Sequence, residues 1–394
     1  MTPRHTLWPL FAATLALAAC GGGSDSSSAE SPSPAPAPNV STDRIEPLDT
    51  ALTKLAAVAP APAASRLPAG APVPRVALGP LAATKAAAVP DKGVALRVGQ
   101  ARAVAATASA GDLAALLRWS TLADGSQVAA LAFAADGARA LRLGVLVTQL
   151  PDGAVLRFYG AAGSPVVEMT AAELAALRQR NQAAGLQGDA ARMAWGPDTA
   201  GDLGTLEVQI PAGAATSQVQ LAVPRLSHLT RAVDDTAEIG DAASCNLDVM
   251  CSADLGAESR AVARLLFTEE DGSTWLCTGT LMNDTRGSRT PYFLTANHCV
   301  SSQARASTAI TYWFFRAAAC NSSPRYDPAM TRLTGGAQLL YADSSVDTTL
   351  LRLNGQPPAN VVYAGSYFGA SVAAGTQVVG VHNPMGDLQK YSVG

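Results

Sequence analysis

The chain has 394 residues, of which 48% are hydrophobic but only 5% aromatic and 15% charged, and its 28 Lys+Arg against 31 Asp+Glu give a formal net charge of −3. That length suits roughly two or three domains, and the charge balance argues against a basic nucleic-acid surface and against a polyacidic tail. No apolar run reaches the roughly 18 residues that a membrane-spanning helix needs.

At the N-terminus Arg4 precedes an apolar stretch from Leu7 to Ala19, the length of a signal-peptide core. It ends in Leu17-Ala18-Ala19-Cys20, followed by Gly21-Gly22-Gly23-Ser24. This resembles a bacterial lipobox, in which Cys20 becomes the lipidated first residue of the mature protein. An ordinary signal peptide that contains Cys20 is the other reading. Acyl chains contribute about 0.8 kcal/mol per buried methylene, so several chains anchor stably to a bilayer. Gly21 stands where an aspartate would signal retention in the inner membrane, so the expected location is the outer membrane or cell surface. Either way the chain enters a compartment that permits disulfides. Residues 1–19 are thus expected to be a signal peptide. Residues 20–92, rich in Ser, Pro and Ala as in Ser31-Pro32-Ser33-Pro34, are expected to be a tether.

Residues 93–230 have strand rhythm. Asp124-Gly125, Asp136-Gly137 and Asp152-Gly153 are turn dipeptides between apolar runs such as 141–147 and 155–159. Leu206, Val208 and Ile210 alternate with Glu207 and Gln209, and Val219, Leu221 and Val223 also fall at period two, the pattern of half-buried strands. Thr170 to Glu173 forms a capping box that opens a helix. The expectation is a β-sandwich-like accessory or pro domain. It contains no cysteine and, near its end, the single histidine His228, which reads as packing. Trp119 and Trp195 likewise read as packing residues.

An Asp-rich connector, 231–243, leads to 244–394, where the chemistry lies. Ser244-Cys245-Asn246-Leu247-Asp248-Val249-Met250-Cys251 comes first. The apolar run 261–267 then turns at Asp271-Gly272 into Trp275-Leu276-Cys277-Thr278-Gly279-Thr280-Leu281, a predicted β-hairpin. Tyr292-Phe293-Leu294-Thr295-Ala296-Asn297-His298-Cys299 follows. Cys277, His298 and Cys299 could be zinc ligands, although adjacent His298 and Cys299 chelate poorly. Alternatively, Cys277 and Cys299 form a disulfide that pins His298 on the turn between two strands, which stabilises by roughly 3 kcal/mol for a loop of this size.

Cys277-Thr278-Gly279-Thr280-Leu281 and Leu294-Thr295-Ala296-Asn297-His298-Cys299 resemble the trypsin-fold serine proteases. Together with the Ser244–Cys251 opening, they are closest to the bacterial lysyl endopeptidase group. The resemblance covers about residues 240–394 and implies an all-β fold with a trypsin-like double β-barrel. It implies that His298 is the general base and that Asp347, in Asp347-Thr348-Thr349-Leu350-Leu351-Arg352-Leu353, orients it. Asp343, four residues earlier, is the alternative. The resemblance pairs Cys277 with Cys299 and Cys251 with Cys320, and leaves Cys245 with its partner missing. It implies protein or peptide substrates, a preference for lysine, and no metal or organic cofactor.

The family's Gly-x-Ser-Gly nucleophile segment is absent from residues 1–394. After Asp347 the serines are Ser366, Ser371 and Ser392, none in that context. The segment from Val378 to Ser392 resembles the early second barrel, with His382 in a structural loop. The expectation is therefore a C-terminally incomplete barrel in a fragment of a longer precursor, inactive as it stands. Two rivals remain open on the residues alone: a non-catalytic surface lipoprotein that uses a protease-derived fold for binding, and a metal-binding protein using Cys277, His298 and Cys299.

Overall fold

A computed structural model describes residues 43–52, 63–81, 94–232, 240, 242–323 and 325–394. The signal peptide, Cys20 and the tether's Ser/Pro repeat lie outside the described residues, as does most of the connector. Among the described residues no helix is long and apolar enough to cross a membrane.

The period-two segments of the middle region are strands, and the three Asp-Gly dipeptides sit at turns between or before them. Strands Gln127–Ala135, Leu203–Ile210, Val155–Tyr159 and Val167–Thr170 make one antiparallel sheet. Strands Ala140–Gln149, Gln220–Leu229 and Leu96–Ala103 belong to a second. The inward residues of both, including Leu131, Phe133, Leu143, Leu206 and Leu221, share one apolar core, which makes a sandwich. Helix Ala171–Ala183 starts where the capping box places it. The Thr170 hydroxyl accepts from the Glu173 amide, the Glu173 carboxylate accepts from the Thr170 amide, and Leu174 and Leu177 face the core.

Part of the stretch read as tether is structured. Arg75–Leu78 runs parallel to Gln127–Ala135 at the edge of the first sheet, and Val76 and Leu78 pack on the core. Ser65 and the Arg66 amide donate to the fully buried Glu207 carboxylate, which Arg157 and Tyr159 also meet. Two of the four donors on this buried carboxylate come from residues 65–66 and fix that segment, a constraint that Ala/Pro-rich composition does not reveal.

The predicted hairpin is present. Val262–Thr268 pairs with Thr274–Met282 across the Asp271-Gly272 turn. Tyr292–Thr295 adds to the second strand, and Thr348–Leu353 and then Ala337–Asp343 follow. On the other side of the hairpin lie Ile310–Trp313 and Thr331–Leu333. These strands wrap a second core around Phe267, Phe293, Trp313 and Leu351. No sheet closes into a barrel among the described residues. Ile310–Trp313 and Ala337–Asp343 are not paired, and the seam region instead holds buried Gln303, whose side chain donates to Ala337 O (3.1 Å) and accepts from Leu339 N (2.9 Å).

The sequence-based division into sandwich and protease region missed that the two share a sheet. Leu96–Ala103 pairs with Gln220–Leu229 on one side and, through Leu96, Arg97 and Gly99, with Leu276, Trp275 and Thr274 on the other. Arg142 reinforces the joint. Its guanidinium leaves the sandwich and donates to Gly196 O (3.0 Å), Thr268 Oγ1 (2.8 Å) and Thr308 O (2.9 Å), and the residue is fully buried. Burial pushes its pKa down to about 10, against the opposing pull of Asp198. Asp198, also from the sandwich, accepts from the Tyr312 hydroxyl and from Arg332 Nη1.

Gly279 shows how tightly the hairpin meets the strand that leads to His298. A Cβ there would lie 2.2 Å from the Phe293 ring and 2.8 Å from Leu294 O, so both ring and backbone would have to move. Gly279→Ala should lower stability by about 1–3 kcal/mol, the range for overpacked cores. A urea unfolding midpoint that drops at constant m-value is the expected reading.

Candidate active site

His298 sits on the turn after strand Tyr292–Thr295, and Asp347 immediately precedes strand Thr348–Leu353. Those strands are hydrogen-bonded neighbours, with Thr295 opposite Thr349, so their ends bring the two residues together. His298 Nδ1 lies 2.7 Å from Asp347 Oδ2, and the His298 amide donates to Oδ1 at 2.8 Å. A carboxylate only accepts, so Nδ1 carries the proton and Nε2 is left as the acceptor. The Asn297 amide donates to Asp347 O (3.1 Å), which holds Asp347 at φ +48°, a left-handed conformation that aspartate tolerates better than most residues. Asp343 does not compete, because its carboxylate is engaged by Tyr341 and Ser345.

Threonines lock the turn from beneath. Thr295 Oγ1 donates to Thr278 O (2.8 Å), and Thr349 Oγ1 donates to Val300 O (2.8 Å). These positioning groups were overlooked in the sequence, although both belong to the motifs quoted above. Cys277 and Cys299 are joined in a disulfide, as are Cys251 and Cys320, while Cys245 is an exposed free thiol. The ligand atoms of Cys277, His298 and Cys299 lie within 4.8 Å of one another, but with both sulfurs committed to the disulfide the set offers no thiolate for zinc.

The other candidates lie elsewhere in the hydrogen-bond scheme. His382 pairs opposite Lys390 in strand Val379–His382, and burial pushes its pKa down, opposed by a backbone bond at Gly380. Its neighbour Asn383 donates its amide to Thr278 Oγ1 (3.0 Å), so this loop packs beside the strand that carries Cys277. Ser366 is paired with Ile45 and Ser392 with Gly380. No serine hydroxyl among the described residues is hydrogen-bonded to His298. In the sandwich, His228 is buried with Arg102 Nη1 3.5 Å from its Nδ1, consistent with packing.

Residues 70–230 match the family described as lysyl endopeptidase N-terminal domain, and residues 239–394 match the lysyl endopeptidase C-terminal domain. The chain belongs to the lysyl endopeptidase family. It is 32% identical over 292 residues to a lysyl endopeptidase of Pseudomonas aeruginosa, an alignment covering 71% of this chain and 60% of that relative. The family is one of peptidases, and the His298–Asp347 pair lies within its C-terminal domain.

The Asp347 carboxyl is held below the usual carboxylate range, first by the His298 amide and then by the His298 side chain. A group depressed on folding adds stability above its unfolded pKa, near 3.9, and loses it as pH falls through the lower folded value. The lock is therefore complete at neutral pH and opens only in acid. Carbon-13 titration of the Asp347 carboxyl should give a pKa below that of a model aspartate. A value at or above the model's would mean the two-point hydrogen bond is not kept in solution.

Proposed function

We propose that this chain carries the general base and its orienting carboxylate for a serine endopeptidase, with His298 as the base and Asp347 as the orienter. The observation that carries the reading is the two-point contact of Asp347 with the His298 ring and amide. With Nδ1 protonated against Asp347, Nε2 is free to take a proton from a serine hydroxyl. The imidazolium so formed faces a carboxylate that stabilises it, and it can then protonate the leaving amine. Attack requires a serine and an oxyanion hole, which the family supplies in a Gly-x-Ser-Gly segment that residues 1–394 do not contain. Activity is accordingly assigned to a form of the protein that carries that segment. Substrates are proteins or peptides, with cleavage after lysine as the proposed preference. We further place the protein in the outer membrane or at the cell surface, anchored through lipidated Cys20, with a processing cut close to Gly240 that frees the catalytic region.

The test uses an active form with peptide substrates bearing Lys, Arg or Leu before the scissile bond. Cleavage after Lys, blocked by a serine-directed fluorophosphonate, is expected. Hydrolysis that survives both the reagent and His298→Ala would overturn the reading.

A further inference from the structure

Residues 43–52 fall outside both matched domains, yet they are built into the protease region. We infer that they form a strap seated in a strand-receptive edge at residues 361–368, and that this edge with Arg260 is a docking site for one extended segment carrying a carboxylate.

The edge is formed in part by the end of the hairpin: Asn283 N donates to Ala364 O and Ala364 N donates to Leu281 O. Its other side takes the strap antiparallel, with Arg44 opposite Tyr367, Ile45 opposite Ser366, Leu48 opposite Tyr363 and Asp49 opposite Val362. Phe368 N donates to Asp43 O (2.7 Å), and Thr50 donates from both its amide (3.1 Å) and its hydroxyl (2.7 Å) to Val361 O. Asn283 Nδ2 donates to Glu46 O (2.9 Å).

Features beyond backbone pairing make this a specific seat. Arg260 grips Asp49 through its two terminal guanidinium nitrogens, Nη1 to Oδ1 at 2.9 Å and Nη2 to Oδ2 at 2.5 Å, and also donates to Asn360 O (3.0 Å). A bidentate fork of this kind selects a carboxylate at one position of the ligand. Leu48 packs against the second core. Gly365 lets the strap approach, since a Cβ there would lie 2.3 Å from Ile45 O. The ladder gives affinity, while the fork and the apolar contact set the register, the division of labour seen in peptides that bind by strand addition.

The consequence is a second attachment. Cutting within the 231–243 connector leaves the N-terminal part held at two separate places: the joint made by Leu96–Gly99 on Thr274–Leu276 with the Arg142 and Asp198 contacts beside it, and the strap on 361–368. Two linked contacts retain a partner by orders of magnitude better than either alone, roughly 10²–10⁴-fold in favourable geometries. The inference does not depend on His298 and Asp347 being catalytic.

The test is the full chain with a specific protease site inserted in the 231–243 connector, cut, and followed by size-exclusion chromatography for release of the N-terminal part. Release should be at least about tenfold faster in Asp49→Arg than in the parent, and the double variant Asp49→Arg/Arg260→Asp should return it toward the parent rate. Amide exchange at Tyr363 and Phe368 should rise in the single variant and fall again in the double. Asp49 lies on the strap, outside both cores, and unchanged tryptophan fluorescence will verify that the single variant folds. Equal release rates and equal exchange in parent and Asp49→Arg would overturn the inference, as would a double variant no better than the single.

Discussion

If His298 and Asp347 act as proposed, Asp347→Asn should lower kcat by about four orders of magnitude in a form of the protein that carries a nucleophilic serine, the loss seen when the orienting carboxylate of a trypsin-type triad is replaced. An asparagine amide can donate to Nδ1, which turns the imidazole to the tautomer whose Nε2 is already protonated and cannot act as base. It also removes the charge that stabilises the imidazolium. Folding should be retained, because the Asp347 side chain is 52% exposed and an asparagine carbonyl can still accept from the His298 amide. His298→Ala should abolish turnover while leaving the Cys277–Cys299 bridge in place. Two controls sharpen the assignment. Asp343→Asn should leave the rate near the parent's, since that carboxylate serves Tyr341 and Ser345. His382→Ala should leave most activity. A loss on His382→Ala as large as on His298→Ala would remove His298 from the role of base.

Arg142→Ala should destabilise the protein by about 3–5 kcal/mol, the range for removing one member of a buried charged cluster. The substitution deletes the donors on Gly196 O, Thr268 Oγ1 and Thr308 O and withdraws positive charge from the surroundings of Asp198 and Tyr312. The Tyr312 hydroxyl is held well above its usual pKa, first by burial and then by Asp198, and loss of Arg142, which pulls the other way, pushes it further up. Arg142→Met, which refills the space without a charge, should recover part of the loss. Because the guanidinium spans sandwich and protease region, the unfolding transition of Arg142→Ala should also lose cooperativity, with separate midpoints for the two parts. A single transition within 1 kcal/mol of the parent, a bound well below the buried-cluster range, would show that the joint rests on the shared sheet alone.

The corner that joins His298 to Asp347 was legible because its motifs are short and local. Disulfide partners, histidine and aspartate each stand in a fixed run of residues, and strand pairing brings the runs together. That Asp347 rather than Asp343 meets His298 was legible for the same reason: the apolar strand directly behind Asp347 gives it a strand end to stand on. Helix Ala171–Ala183 was announced by its capping box. Contacts that join distant segments left no such trace. Arg142 reads as one more charged residue in a strand, although it is fully buried. Arg75–Leu78 and the Asp43–Leu52 strap lie in the stretch assigned to the tether, and what orders them is strand pairing with distant segments, Gln127–Ala135 and residues 361–368. The shared sheet was invisible because a strand with both edges paired has the same alternation as one with a free edge.

That strand, Leu96–Ala103, also sets a schedule. Chains are made from the N-terminus, and pairings between distant segments form slowly because a long loop must close first. The sandwich core contains all its strands before the hairpin 262–282 has been synthesised. Until the hairpin arrives, the edge later taken by Thr274–Leu276 is an open row of amides and carbonyls, ready to accept any extended chain. The hairpin therefore meets a finished template, and its first residues to dock are those directly before Cys277. The same open edge is the place where two newly made chains would pair wrongly, so crowding at the point of emergence is where yield of the folded protein is decided.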